Sequence, residues 1–456
     1  MADGDFHIMP RGCRLIDFPE SSDARGSLSF AESSQHIPFQ IERVFWIYGV
    51  PEGKTRGDHS HNESSEVVVP VSGSFDIFVS DGTREVTIHL DSPRRGILIP
   101  PGIWCELKNF ASGTVCMVFA SHPYNAAGYT HDFNQYRRSM IGVVRYDESH
   151  RDEWNKFVSE SKNGTFLIDR RYMDYHSDRF SDCSLLFYKQ GGLIALLPAN
   201  YDVLEGTVQS HGGLTYGGMI LSPQITAVET LEAFSCAADW MKTTLGAHRW
   251  IYKPIPYIYS SLPAEEDLYA LFRSGGRLLS RAVSTVVDNS NRLPLRKLRR
   301  RGVLKAQKAG LVIRKADCES DWTSFWSILS NVLMERHKKL PVHTVSEIML
   351  LESRFPGNIV LYVVENAGQV EAGTVVYDTA QVAHAQYIAA SPAGKSDGAL
   401  DLLFDSLIGT TYAGKPYFDF GVSTEQGGSY LNEGLIFQKE GFGGRSVVYD
   451  TYEIML

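Results

Sequence analysis

The sequence predicts a multi-domain protein in which an all-β jelly-roll barrel precedes an α+β region. Three observations carry that reading. The 456 residues exceed what one ordinary hydrophobic core organises. From about Cys13 to Tyr136, short β-type runs alternate with turn signals. After about Ile141 the pattern changes to strands mixed with helical periodicity.

In the first region Arg43 to Tyr48, Glu66 to Val71, Ser74 to Val79 and Thr114 to Phe119 read as strands, and Asp81-Gly82 as a hairpin turn. Beyond it, Thr230 to Thr244 and Asp321 to Arg336 have amphipathic helical spacing. Asn358 to Asn366 and Val370 to Asp378 form a predicted hairpin around Ala367-Gly368. Val382 to Ala389 is a further strand, and a glycine-containing loop leads from it to a helix over about Gly398 to Leu407. The expected domains are residues 1–138 and 139–456, the second divisible into halves at 141–286 and 302–456 joined by a basic segment.

Composition excludes several classes. Hydrophobic content of 43% and charged content of 21% describe a folded chain rather than a disordered one. A net charge of -9 argues against a nucleic-acid partner. No apolar run of about 18 residues is present, so no membrane span is expected. The first residues lack a basic stretch followed by an apolar one, and the six cysteines show no C-x-x-C pairing. A cytoplasmic protein with reduced thiols is the expectation.

The chemistry begins between Gly53 and Gly73. His59 and His61 sit two positions apart, so on a strand they project to one face. Glu66, across a turn through Asn62 to Ser65, can return to the same cavity. A metal centre needs neutral imidazoles and a carboxylate converging on one ion. Gly96 to Asn109 resembles the second signature of the cupin barrel, and that resemblance implies a third imidazole where this chain has Cys105, so no metal is expected. Proton transfer is the alternative, because imidazole titrates near neutrality and a pair can act as base and acid. Arg56 is a candidate for a diphosphate, Tyr48 and Trp46 for stacking on a base or sugar, and Glu66, Trp104 and Cys105 for further substrate contacts.

Gly53 to Gly73 carries the first signature of the cupin barrel. The runs Ile41 to Pro51, Arg56 to His61 and Leu98 to Trp104 resemble the sugar 3,4-ketoisomerases, metal-independent enzymes of cupin fold that act on dTDP-4-keto-6-deoxyglucose. The resemblance covers about the first 135 residues. It implies migration of a carbonyl from C-4 to C-3 through an enediol, with His59 and His61 as the catalytic pair. It also implies a homodimer made by exchange of an N-terminal strand. Relatives carry Arg or His where this chain has Cys105, which leaves the C-4 configuration of the product open.

In the second region the loop from Ser391 to Ala399 follows a strand and opens a helix, an arrangement able to present backbone N–H groups to phosphate. Glu335 to Thr344, Asp419 to Gly421 and Leu431 to Gly444 resemble the GNAT acyltransferases, in particular the branch with FemAB-like proteins. The resemblance implies an acyl-CoA donor whose pyrophosphate lies on Ser391, Gly394, Lys395, Gly398 and Ala399. FemAB-like relatives use aminoacyl-tRNA instead. An amine nucleophile needs a base. His337, His343, His384, Asp419 and Glu425 are candidates, with His384 and Asp419 preferred because both sit on strands flanking the donor cleft. Arg296 to Arg301 is either a nucleotide-phosphate site or a solvated helix face.

Together these features predict a bifunctional sugar-nucleotide enzyme, a 3,4-ketoisomerase joined to an N-acyltransferase of a dTDP-3-amino-3,6-dideoxyhexose. The rivals are a metal-dependent cupin enzyme, or a sugar-nucleotide-binding module fused to a FemAB-like aminoacyltransferase.

Overall fold

A computed structural model describes residues 9–82 and 84–456 and resolves two compact units. The first runs to Gly142 and includes Lys189–Gly192; the second is Val143–Tyr188 with Leu193–Leu456.

The first unit holds two five-stranded antiparallel sheets. One has the order Arg14–Asp17, Arg95–Ile99, Glu66–Ser72, Val115–Ala120, Arg43–Tyr48. The other has the order Tyr129–Thr130, Arg56–His61, Trp104–Lys108, Phe75–Ser80, Glu85–Leu90. Alternation on these strands turns one face inward, where Val68, Ile77, Val79, Ile97, Ile99, Cys105, Leu107, Cys116 and Val118 pack as one cluster. The predicted strands are present almost to the residue, and Asp81 closes its turn by donating its backbone N–H to Arg84 O at 3.1 Å.

The second unit is built on one ten-stranded mixed sheet, running Asn200–Asp202, Thr207–Gln209, Arg249–Tyr252, Arg445–Met455, Arg277–Asp288, Tyr417–Val422, Val382–Ala390, Gln369–Asp378, Ile359–Asn366, Val312–Lys315. The expected division into halves does not hold. Arg277–Asp288, at the end of the first supposed half, pairs on both sides with strands of the second. Two long strands with a common core cannot separate without losing both ladders.

Local signals explain the helices. Thr226 and Glu229 form a reciprocal capping box that starts Ala227–Leu245, and Gly246 ends it in the left-handed region at φ 66°. Glu319–His337 covers the predicted second helix, and its Phe325, Trp326 and Leu329 enter the core beneath the sheet. Ala367 and Gly368, at φ 49° and 83°, make the turn expected between Ile359–Asn366 and Gln369–Asp378.

Candidate active sites

In the first unit, Arg56–His61 pairs with Trp104–Lys108, bringing Cys105 opposite His59. His59 and His61 face the same way, with their Nε2 atoms 3.1 Å apart. The turn after His61 returns Glu66 at the head of the next strand, with Oε1 at 3.0 Å from His61 Nε2. Gly102, in the Pro-Pro-Gly turn, donates its N–H to His61 O at 2.7 Å and fixes the strand end.

The hydrogen bonds set the tautomers. His59 Nδ1 lies 2.7 Å from Gly57 O, an acceptor only, so Nδ1 carries the proton and Nε2 the lone pair. His61 Nε2, between the Glu66 carboxylate and that lone pair, is then the N–H donor. Burial, followed by the neighbouring His61, lowers the His59 pKa, so the ring is neutral near pH 7. Burial also pushes the Cys105 thiol far up, leaving it a neutral S–H.

The other expected residues lie differently. Trp104 points to the opposite side from Cys105 and is buried against Phe133 and Tyr136, with ring centroids 5.0 and 5.5 Å away. Tyr48 and Arg56 are exposed. Three residues that sequence reasoning passed over belong to the histidine cluster. Arg43 Nη2 lies 3.4 Å from Glu66 Oε1. Tyr129 packs on His59 and His61 at 4.9 and 4.5 Å, and His131 stacks on Tyr129 at 5.6 Å. The two-residue spacing of Tyr129 and His131 is the signal that marked His59 and His61, and it was there to be read.

His59, His61 and Glu66 each offer a ligand atom, all within 4.8 Å of one another, so the trio has donors of the type and spacing that a divalent cation accepts. Arg43 against Glu66 supplies a competing positive charge.

In the second unit, Val382–Ala390 and Tyr417–Val422 run parallel and pair only from Val382 to His384, so His384 meets Asp419 where the strands part. His384 Nδ1 donates to Asp419 Oδ2 at 2.8 Å, which leaves Nε2 with its lone pair. Asp419 is fully buried. It accepts further bonds from Tyr449 Oη at 2.6 Å, from Gly421 N–H at 2.9 Å and from the Ser284 hydroxyl. Burial would raise its pKa; the facing His384 ring and these donors outweigh burial and hold the carboxylate at about 2. Tyr259 extends the network through Tyr449 at 2.9 Å. Tyr449, Tyr259 and Ser284 come from distant strands and loops, and no local pattern announces them.

His384 and Tyr449 line a cleft of about 1130 Å³ that also takes in Gln386, Phe420, Glu425, Leu435, Arg336 and Lys439. Lys439 is buried there and donates to Gly421 O and Val422 O, both at 2.8 Å, and burial brings its ammonium down to about 8. Of the other base candidates, His343 is buried with Nδ1 on Tyr387 Oη, and burial puts it at about 4. Glu425 is exposed and accepts from Asn432. The side chain of His337 lies outside the described residues.

The segment after the strand differs from an open phosphate loop. Ser391 caps a short helix, Pro392–Asp397, by accepting from Gly394 N–H, and its hydroxyl donates to Glu371. The N–H groups of Lys395 and Gly398 bond to Ser391 O and Gly394 O. Three backbone donors expected to face a ligand are thus used inside the turn. Gly394, Lys395 and Gly398 border a 350 Å³ cleft, while Ala399 is buried.

The fold and these two centres define a cupin-like isomerase domain followed by a GNAT-type acyltransferase. A family model described as FdtA, WxcM-like, C-terminal, matches residues 11–141, and one described as an acetyltransferase (GNAT) domain matches residues 291–428. The TDP-4-oxo-6-deoxy-alpha-D-glucose-3,4-oxoisomerase of Aneurinibacillus thermoaerophilus is 34% identical over 130 residues, 28% of this chain and 94% of that protein. By this measure the chain belongs, through its N-terminal domain, to the TDP-sugar 3,4-ketoisomerase family. A crystallised 3,4-ketoisomerase from Helicobacter canadensis is 34% identical across 28% of this chain and 96% of its own, with a TM-score of 0.27. FemX, 11% identical with a TM-score of 0.51 over 69% of this chain and 97% of its own, shares the fold of the C-terminal region. The protein is an enzyme with isomerase and acyltransferase domains. No helix among the described residues is long and apolar enough to cross a membrane.

Proposed function

We propose that this chain catalyses 3,4-ketoisomerisation of dTDP-4-keto-6-deoxyglucose and acyl-CoA-dependent N-acylation of a dTDP-3-amino-3,6-dideoxyhexose. The observation that carries the first half is the 3.1 Å contact between a neutral His59 Nε2 and a His61 Nε2–H held by Glu66.

A proton leaves C-3 of the 4-keto sugar and the C-4 oxygen is protonated, giving the enediol. A proton then leaves the C-3 oxygen and C-4 is protonated, giving the 3-keto sugar with no net oxidation. His59 Nε2 is a base, and the His61–Glu66 pair is a donor that returns as acceptor in the second step. Arg56, Glu66 and Cys105 remain the proposed substrate contacts, whereas Trp104, turned away from the histidines, and Tyr48, on the outward face of its strand, are withdrawn from that set. Proton exchange at C-3 in deuterated water tests this half, and exchange that survives intact in His61→Asn would sink it.

In the second half, His384 Nε2 takes the proton of the amine as its nitrogen attacks the thioester carbonyl. The C–N bond forms, the C–S bond breaks, and the proton passes to the departing thiolate. Asp419, kept ionised, fixes the tautomer and stabilises the imidazolium that forms. Between the two steps an aminotransferase must supply the 3-amino sugar. Incubating the keto sugar nucleotide with an aminotransferase, glutamate and acetyl-CoA should yield the acylated sugar nucleotide by mass spectrometry. Absence of the acyl product with both co-substrates present would refute this half.

The first unit is proposed to work as a cytoplasmic homodimer. On Arg43–Tyr48, Val44, Trp46 and Tyr48 are 44%, 60% and 68% exposed along one face of a sheet-edge strand, an apolar stripe suited to a second copy. A monomeric wild-type mass in solution would exclude it. A metal-dependent cupin reaction is the second reading, favoured by the donor atoms of His59, His61 and Glu66. Stoichiometric metal in the purified protein, with turnover lost on chelation, would establish it.

A further inference from the structure

A second, much smaller hollow adjoins the cleft at His384. His384, Thr215 and Gln386 border both spaces, so the imidazole stands between them. The other walls are Leu167, Tyr216, Tyr259, Tyr377 and Thr379, none more than 6% exposed. Only about 10 Å³ is left for the centre of a water-sized group, so one such group fits and a second does not.

The walls define what kind of group that is. Every hydroxyl among these buried residues is already bonded elsewhere. Tyr216 meets Thr165 Oγ1 at 3.1 Å, and Tyr377 meets Tyr172 at 3.2 Å. Tyr259 meets Tyr449 at 2.9 Å, and Thr379 donates to Val382 O at 3.0 Å. What they have left to offer the hollow is ring faces and methyl groups, an apolar lining. The same bonds hold the rings in place, and a close-packed interior yields little.

A thioester carbonyl carbon attacked beside His384 carries three substituents. The sulfur leads to the body of the donor, which needs the large cleft, and the oxygen gathers negative charge, which needs polar partners. The remaining substituent, the first carbon of the acyl chain, is apolar and one bond from the reacting atom. Its place, size and polarity match the hollow.

We propose that this hollow receives the acyl chain and limits it to acetyl, with Leu167 and Tyr377 as the walls that set the length. This rests on the acyl-CoA reading above and deepens it by naming the donor class, acetyl thioesters. Leu167, Tyr216 and Tyr259 lie outside residues 291–428, so the limit comes largely from chain that precedes the matched acetyltransferase segment. An aminoacyl group would bring further heavy atoms and a charge into a space that takes neither.

The test is a donor series of acetyl-, propionyl- and butyryl-CoA with the full-length protein and a dTDP-3-amino-3,6-dideoxyhexose, read as kcat/KM. Wild type should fall about 10–200-fold at propionyl and further at butyryl. Leu167→Val should raise propionyl relative to acetyl by about tenfold, and Leu167→Ala should admit butyryl as well. A ratio of donors survives any general loss of activity from altered packing, and the wild-type series needs no variant. Wild-type kcat/KM for the longer donors within about threefold of acetyl-CoA overturns the proposal, as does a ratio that neither variant shifts. Either result leaves acyl transfer standing, whereas absence of transfer from all three donors removes the acyl-CoA reading with it.

Discussion

The two histidine centres solve the same problem, a neutral imidazole with one committed nitrogen, by opposite means. In the barrel a single strand supplies both rings, and the committed nitrogen rests on a backbone carbonyl two residues away. In the large sheet the imidazole and its carboxylate come from different strands, and four other groups bond to that carboxylate. The first centre therefore draws both rings from one strand, with Glu66 joining them from the next. The second depends on how the whole sheet is assembled. A local device can be found by spacing; a distributed one is found only in three dimensions.

The largest effect that could break this contrast is loss of the histidine pair. His61→Asn is expected to cut C-3 proton exchange by about 10²–10⁴-fold while acetyl transfer stays within twofold. Joint loss of both activities would mean that the centres are not independent. Next, Asp419→Asn should lower acetyl transfer by about 10²–10³-fold with little change in isomerase activity, because His384 loses the anion that fixes its tautomer. Kinetics of the two reactions on one preparation check both.

Acid stability sharpens the comparison further. His343 and His211, both buried in the second unit, are brought to about 4 and about 3, chiefly by burial. A base whose folded pKa lies below its unfolded value stays bare while the unfolded chain binds a proton. Stability is then full above about pH 6.5 and falls as pH drops toward 4, by up to about 1.4 kcal/mol per pH unit for each ring. Urea titrations from pH 7 to 4 should show the second unit weakening with a slope approaching two protons. A flat profile would contradict the burial of these rings. The Asp419 carboxylate, held down instead, keeps its contribution until pH falls through about 4 toward 2. The smallest expected effect is that of chelation. Exhaustive treatment with EDTA should leave C-3 exchange within twofold, and a larger drop would favour the metal-dependent reading of His59, His61 and Glu66.

Legibility followed the same division. The barrel could be read because its signals are local: alternation in Arg43–Tyr48, the Asp81-Gly82 turn, and two histidines in register before Glu66. The His384–Asp419 contact was also within reach, since each residue lies on a recognisable strand and the two strands proved to be neighbours. Ser284 and Tyr449 were not, because a hydroxyl in a strand looks alike whether it faces water or a buried carboxylate. The Ser391 segment misled for a related reason. A serine three residues before a glycine suits a ligand-facing loop and a capped helix equally, and the choice depends on Glu371 in a neighbouring strand.

The position of Arg445–Met455 between Arg249–Tyr252 and Arg277–Asp288 has a consequence for synthesis. A ribosome making this chain exposes both flanking strands long before their shared neighbour emerges, and until then each presents a bare row of amides and carbonyls. The acyltransferase must wait for translation of this strand before its sheet can close, whereas the barrel can mature on the nascent chain. Shortened transcripts should consequently give a working isomerase tethered to a sticky, chaperone-dependent remnant.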